Sequence, residues 1–396
     1  MRREQLLYWI TLLETPGIGL RTARRVLEAA ATWREASGRA ERDWLALGLS
    51  PESARSLTRA LREARHVRDV ERIESSGVLY VLDTDDDYPP LLREIAAPPP
   101  ILFYQGTFAA AKCGVAIVGT RNCTAYGRRV AFDIGRALAQ SGMQIVSGLA
   151  RGVDQAAHEG ALDGQGCTVA VLGSGVNCVY PPENQRLADQ IASAGGAVVS
   201  EFLPWVGPDR HHFPRRNRII SGLCRAVMVV EADRRSGALI TAAFALDQNR
   251  DLFAVPGSIF SAASRGANEL IAAGATPVLS AEDVRTQLCG DARWPWTSAA
   301  TTQEGGAVFT GGHGDAPSSA PVPGAGAAGK GSPVSALDAE LLREMGTGPQ
   351  SIADLLAAPT LAHLTAAELG AQLTLLELQG KIKRGDDGRF FPSSGH

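Results

Sequence analysis

From Gly114 to Leu279 the chain repeats one pattern: a short uninterrupted apolar run, then a segment with helical periodicity, then another run. The runs predict strands at Gly114–Gly119, Met143–Ser147, Thr168–Gly173, Gly196–Ser200, Ala226–Glu231, Asp251–Pro256 and Thr276–Leu279. The segments between them predict helices over Arg128–Gln140, Val153–Ala161, Glu183–Ala194, Ser236–Gln248 and Ala267–Ala273. Strands that are apolar on both faces must be covered on both faces, and the intervening helices are the only cover available. The pattern therefore predicts an α/β fold built on a parallel sheet, with a Rossmann-like core.

In such sheets ligands sit beyond the carboxyl ends of the strands. The residues there are G-T-R-N-C (119–123), S-G-L-A-R-G-V-D (147–154), G-S-G-V-N (173–177), S-E-F (200–202) and E-A-D-R-R-S-G (231–237). Gly119, Gly148, Gly173 and Gly175 let a ligand approach the backbone, Thr120 and Ser147 offer hydroxyls, and Arg121 and Arg151 add charge. Ahead of the strand at Ala226 lies W-V-G-P-D-R-H-H-F-P-R-R-N-R-I-I-S-G-L (205–223), to which no regular element is assigned. It gathers Arg210, Arg215, Arg216 and Arg218 with two histidines and Phe213 against the single acid Asp209. Guanidinium forks match phosphate oxygens and a flat ring can stack on a base, which suits a single-stranded nucleic acid. A solvated basic turn whose Phe and Ile fill the core is the bland alternative. The net charge of -3 and pI near 6.2 confine any nucleic-acid site to a local patch.

Catalytic chemistry finds little support. G-S-G-V-N-C has two glycines of a dinucleotide fingerprint but Cys178 in place of the third, and no P-loop Lys-Ser/Thr signature occurs. Asp154 and His158 stand at i, i+4, either as a base with its orienter or as a cap and a packing histidine. Glu201 and Glu231 are expected to orient arginines on the rim. The helix over 236–250 lacks the glutamate that nucleoside-monophosphate hydrolases place after a glycine-rich loop, so binding without turnover is expected, with no catalytic residue, no metal and no cofactor. The six cysteines lie far apart, without C-x-x-C pairs, and read as reduced.

Residues 1–75 predict a small helical domain, 76–290 the Rossmann-like domain, 291–333 a flexible linker of Ala, Gly, Ser, Thr and Pro, and 334–396 a winged helix. In the first of these, T-P-G-I-G-L (15–20) resembles the turn of a helix-hairpin-helix that grips phosphates. In the last, three helical stretches are followed by a hairpin around Asp386-Asp387-Gly388. A transcription factor led by the winged helix is a third reading, although the third helical stretch carries acids and no base before Lys381. No stretch approaches the roughly 20 apolar residues of a membrane span, so a cytoplasmic protein is expected.

The motifs V-A-I-V-G-T-R, I-V-S-G-L-A-R-G-V-D-x-x-A-H, G-S-G-V-x-x-x-Y-P-P-E-N, S-E-F, H-x-F-P-x-R-N-R-I-I-S-G-L, S-G-A-L-I-T and F-A-V-P-G occur in unbroken order. Together they resemble the DNA-processing protein A (DprA, or Smf) family. The resemblance implies a bacterial cytosolic protein that binds single-stranded DNA, loads RecA recombinase onto it during natural transformation, and forms a homodimer through its Rossmann-like domain. It implies Arg121, Arg210 and Phe213 as the DNA pocket, with Arg151, Arg216 and Arg218 as further phosphate contacts. The full set of expected DNA-binding residues adds Gly119, Thr120, Ser147, Gly148, Gly173, Gly175, His212 and Asn217.

Overall fold

The computed structural model describes residues 2–109 and 113–289, with a discontinuous set between 341 and 392. Two compact units emerge, Met1–Trp296 and Thr297–His396. The proposed linker over 291–333 lies outside the described residues.

The first unit is organised on a nine-stranded sheet: β1 (Leu79–Leu82), β2 (Ile101–Gly106), β3 (Gly114–Val118), β4 (Gln144–Ser147), β5 (Thr168–Val171), β6 (Ala197–Ser200), β7 (Ala226–Val229), β8 (Asp251–Ala254) and β9 (Thr276–Pro277). Their order is β1-β2-β6-β5-β4-β3-β7-β8-β9, parallel from β6 through β9. The seven strands expected from the apolar runs are all present and parallel. β1 and β2 are additions, both antiparallel to their neighbours. They were hidden because short runs flanked by D-T-D-D-D-Y-P-P and A-A-P-P-P read as loop.

Six helices precede the sheet: α1 (Arg2–Leu13), α2 (Leu20–Ala29), α3 (Trp33–Ser37), α4 (Glu41–Ala46), α5 (Pro51–Arg62) and α6 (Val67–Ser75). Their buried side chains, Trp44 and Leu57 among them, form one apolar cluster with Phe103 of β2, Val176 and Leu203, so this module is seated on the edge of the sheet. The T-P-G-I-G-L turn joins α1 to α2; Gly17 has φ +78°, and Ser53 Oγ donates to Pro16 O at 2.9 Å.

The remaining helices are α7 (Pro90–Arg93), α8 (Ala125–Gln140), α9 (Val153–Asp163), α10 (Gln185–Ser193), α11 (His212–Gly222), α12 (Gly237–Asp247), α13 (Arg265–Ala272) and α14 (Ala281–Cys289). α8, α9 and α14 cover one face of the sheet, while α7, α11, α12 and α13 cover the other. The backbones of α8 and α9 are nearly in touch, since a Cβ on Gly160 would lie 2.1 Å from Phe132 O. Gly160→Ala should therefore cost about 1–3 kcal/mol in urea unfolding, the usual penalty for overpacking; an unchanged midpoint would refute this packing. Among the described residues no helix is long and apolar enough to cross a membrane.

The basic stretch holds a correction. Its C-terminal half is not irregular but forms α11, with Pro214 tolerated in the first turn.

In the second unit, Leu341, Met345, Leu355, Leu361, Leu369, Leu373, Leu376, Ile382 and Phe390 form one buried cluster. β10 (Ile382–Arg384) pairs antiparallel with β11 (Phe390–Pro392), on either side of the expected hairpin turn.

Candidate nucleic-acid interface

The chain runs outward from β3 through β4, β5 and β6, then returns to the other side of β3 at β7. Loops leaving β3 and β7 therefore diverge to opposite faces, which opens a crevice at their carboxyl ends. A cavity of about 800 Å³ occupies it, walled by Gly119–Asn122 after β3, Asp233, Arg235–Ala238, Ile240 and Thr241 after β7, and Pro208–Arg210 with the first turns of α11.

Backbone contacts knit these loops together. Thr120 N donates to Glu231 O at 2.7 Å, and Val153 N to Thr120 O at 3.3 Å. A Cβ on Gly152 (φ +79°) would lie 2.5 Å from Thr120 O. Leu149, at φ +57°, holds a backbone conformation that a branched side chain resists. Its side chain is buried and Asn184 Nδ2 donates to its carbonyl at 2.8 Å, which holds the loop in place.

Seven of the expected residues line the crevice: Gly119, Thr120, Arg121, Arg210, Phe213, Arg216 and Asn217. The exposed guanidinium of Arg121 lies over the half-buried ring of Phe213, 5.3 Å from its centroid. Phe213 also meets Tyr180 at 5.7 Å between centroids, and its ring edge sits where a Cβ on Gly173 would be, 2.8 Å away. Gly148 and Arg151 border a shallow pocket adjoining the crevice, where Arg151 pairs with Glu183.

Four expected residues do not face the crevice. Arg218 is buried with Nη1 and Nη2 both donating to the Glu201 carboxylate, at 2.8 Å each, while Nε donates to Ala97 O. His212 stacks on Phe202 at 4.0 Å. Both line a separate cavity of about 530 Å³ beside α1 and the T-P-G-I-G-L turn. Ser147 is buried and donates to Ile117 O, and Gly175 packs against Leu203 and Pro204. They shape the walls and offer nothing to a ligand in the crevice.

The family model for DNA recombination-mediator protein A matches residues 79–289, more than half of the chain, and that for the DprA winged helix domain matches 325–388. The chain belongs to the DNA recombination-mediator protein A family. It is 46% identical over 227 residues to the DNA processing protein DprA of Streptococcus pneumoniae, a match covering 57% of this chain and 78% of that one. It is 44% identical over 224 residues to Protein Smf of Synechocystis, covering 55% of this chain and only 56% of that relative. The X-ray structure of the Streptococcus pneumoniae DprA superposes with a TM-score of 0.62 at 37% identity, over 71% of this chain and 97% of that one.

In this member of the DprA family a buried charge sits beneath the crevice floor. Arg216 Nη1 donates to Gly148 O at 2.7 Å and also to Val171 O, and its Nε donates to Asn217 Oδ1. Burial lowers the guanidinium pKa to about 10, which leaves it charged, and Asp154 supplies the opposing charge. Burial pushes the Asp154 carboxyl up, while Arg216 and the loop amides pull it down. Asp154 Oδ2 accepts from the amides of Gly148 at 3.1 Å and Ala150 at 3.4 Å. It ties down a loop, as the capping alternative expected. Glu231 has another task than the one expected: its carboxylate accepts from the amide and hydroxyl of Thr124, at the start of α8.

His158 is a packing group. The Thr168 hydroxyl donates to Ile145 O, so it accepts from His158 Nδ1 at 2.7 Å. Burial, reinforced by Arg216, lowers the imidazole pKa to about 3 from 6.5. The unfolded chain takes up this proton below about pH 6.5 and the folded chain refuses it, so the associated stability is complete above pH 6.5 and is lost as pH falls toward 3. Between pH 7 and 5 the parent should lose about 2 kcal/mol more than His158→Asn in urea unfolding, and parallel losses would show that His158 is not buried neutral.

Sequence reasoning missed Tyr180, Asn122, Asn184 and Arg235 as parts of the site. Tyr180 and Asn184 lie in Y-P-P-E-N and Arg235 in E-A-D-R-R-S-G, stretches whose roles depend on loops converging from strands far apart in sequence. Among the described residues no His/Cys/Asp/Glu group could hold a metal ion.

Proposed function

We propose that the crevice binds single-stranded DNA, with phosphates held by Arg121 and Arg210 and a base stacked on Phe213. One observation carries this reading: a charged guanidinium and an aromatic face stand together, 5.3 Å apart, at the mouth of an 800 Å³ crevice at the sheet's switch point. Stacking requires an unpaired base, which favours single strands over duplex. Thr120, Gly119 and the Gly148 loop supply the backbone surface along which the strand runs.

The protein acts in the cytoplasm as a homodimer through its Rossmann-like domain and hands bound strands to RecA recombinase, a role supported by membership in a family described as recombination mediators. Two grooves in one dimer raise apparent affinity through effective concentration. The helical module shares an apolar cluster with the edge of this domain, whereas the winged helix belongs to a separate unit. No turnover accompanies binding: Asp154, Glu201 and Glu231 are each committed to structural hydrogen bonds, and His158 is sealed in the core.

A titration of short oligothymidines against nucleoside monophosphates, followed by fluorescence anisotropy and calorimetry, tests the reading. Affinity should rise with oligomer length and fall steeply with salt. Tight binding or hydrolysis of a monophosphate would favour a nucleoside-phosphate hydrolase.

A further inference from the structure

A second cationic surface lies away from the crevice, on α5 of the helical module. Arg55, Arg59 and Arg62 fall at i, i+4 and i+7, so they share one face of the helix. All are exposed, and the next two arginines along the chain, Arg65 and Arg68, are exposed as well.

Several exposed arginines of the first unit have carboxylate partners, among them Arg2 with Asp85, Arg128 with Glu159, Arg129 with Asp133, Arg151 with Glu183, Arg234 with Glu269 and Arg285 with Glu282. Arg55, Arg59 and Arg62 have none among the described residues, although Glu52 and Glu63 lie at the two ends of the helix. Like charges one turn apart repel and weaken the helix that carries them, a cost that a bound polyanion would relieve.

Spacing supports a linear partner. The three residues rise over about 10 Å of helix axis, with a charge roughly every 5 Å. A nucleic-acid strand carries a phosphate roughly every 3.4 Å in a duplex, so adjacent guanidinium groups can each reach a phosphate oxygen. α5 is rigidly mounted: its opposite face buries Ala54, Leu57, Ala60 and Leu61, and Ser53 binds the T-P-G-I-G-L turn. Arg25 of α2 extends the surface, its Nη1 reaching the Gly48 turn just ahead of the α5 cap Ser50.

We infer that the Arg55-Arg59-Arg62 face of α5 is a second phosphodiester-binding track, which engages nucleic-acid backbone beyond the length held by the crevice. Its role is taken to be contact with phosphates, which positions a strand without carrying sequence information.

The test uses the full chain and three probes: an oligothymidine of about eight nucleotides, within a single site, one of about 60 nucleotides, and a duplex of about 60 base pairs. In the triple variant Arg55→Gln/Arg59→Gln/Arg62→Gln, affinity for a long probe should fall roughly tenfold or more at moderate salt, and the salt slope on that same probe should drop by about 2. Octamer binding should stay unchanged, and Arg55→Lys/Arg59→Lys/Arg62→Lys should keep most of the long-probe affinity. Loss confined to the long strand or to the duplex identifies which nucleic acid uses the track. Unchanged affinity and salt slope on both long probes overturns the inference, as does a lysine variant as weak as the glutamine one. Octamer binding that ignores Arg121→Glu would instead refute the crevice reading and leave the track standing.

Discussion

Phe213→Ala should weaken binding of a short oligothymidine by about 5- to 150-fold, the range expected when one base loses an aromatic platform worth about 1–3 kcal/mol. Arg121→Glu should cost about 100-fold or more, because a phosphate-facing cation becomes an anion at the same crevice mouth. Anisotropy at several salt concentrations separates the two. The arginine variant should flatten the salt dependence, whereas the phenylalanine variant should lower affinity at every salt without changing the slope. Guanidinium and ring are in contact, so the double variant should lose less than the sum of the singles. Parental affinity in both single variants would sink the crevice as the DNA site.

The largest stability effect should come from Glu201→Ala. The Glu201 side chain is 2% exposed and holds Arg218, itself 10% exposed, through two bonds, with Arg215 on the same carboxylate at 2.9 Å. Removing the carboxylate strands a buried guanidinium, a change that costs about 3–5 kcal/mol, a large share of a typical domain's stability. Chemical denaturation should show that loss. Glu201→Ala/Arg218→Leu should recover much of it, because the uncompensated charge is gone. A loss below about 1 kcal/mol in the single variant would mean that Arg218 reaches water and the pair is not buried as described.

The parallel core was legible because strands such as Val115–Val118 and Val169–Val171 are apolar on both faces, and that pattern has one common solution. β1 and β2 escaped notice because strands of four and six residues beside acidic and proline-rich segments carry too little periodicity to be seen. The candidate site was legible as chemistry but not as orientation. Arginines and an aromatic in one stretch raised the expectation of an anion site, yet only a helix sorts them. On α11, Phe213, Arg216, Asn217 and Ile220 turn to the crevice, while His212, Arg215 and Arg218 turn away. With helical spacing assigned from His212 onward, positions 212, 215 and 218 fall on one side by count alone. Glu201, at the end of another strand, was expected to orient an arginine and does hold Arg218 and Arg215; what no local pattern reveals is that the Arg218 pair is buried rather than on the rim.

That sorting makes α11 a party wall between two rooms. One side is the crevice; the other is the cavity closed by α1 and the T-P-G-I-G-L turn, and no residue before Val118 lines the crevice itself. A rigid rod cannot tilt on one side alone, so loosening the helical module would disturb the seat of the Phe213 ring without touching it, and a strand bound there as proposed would steady a module it never meets.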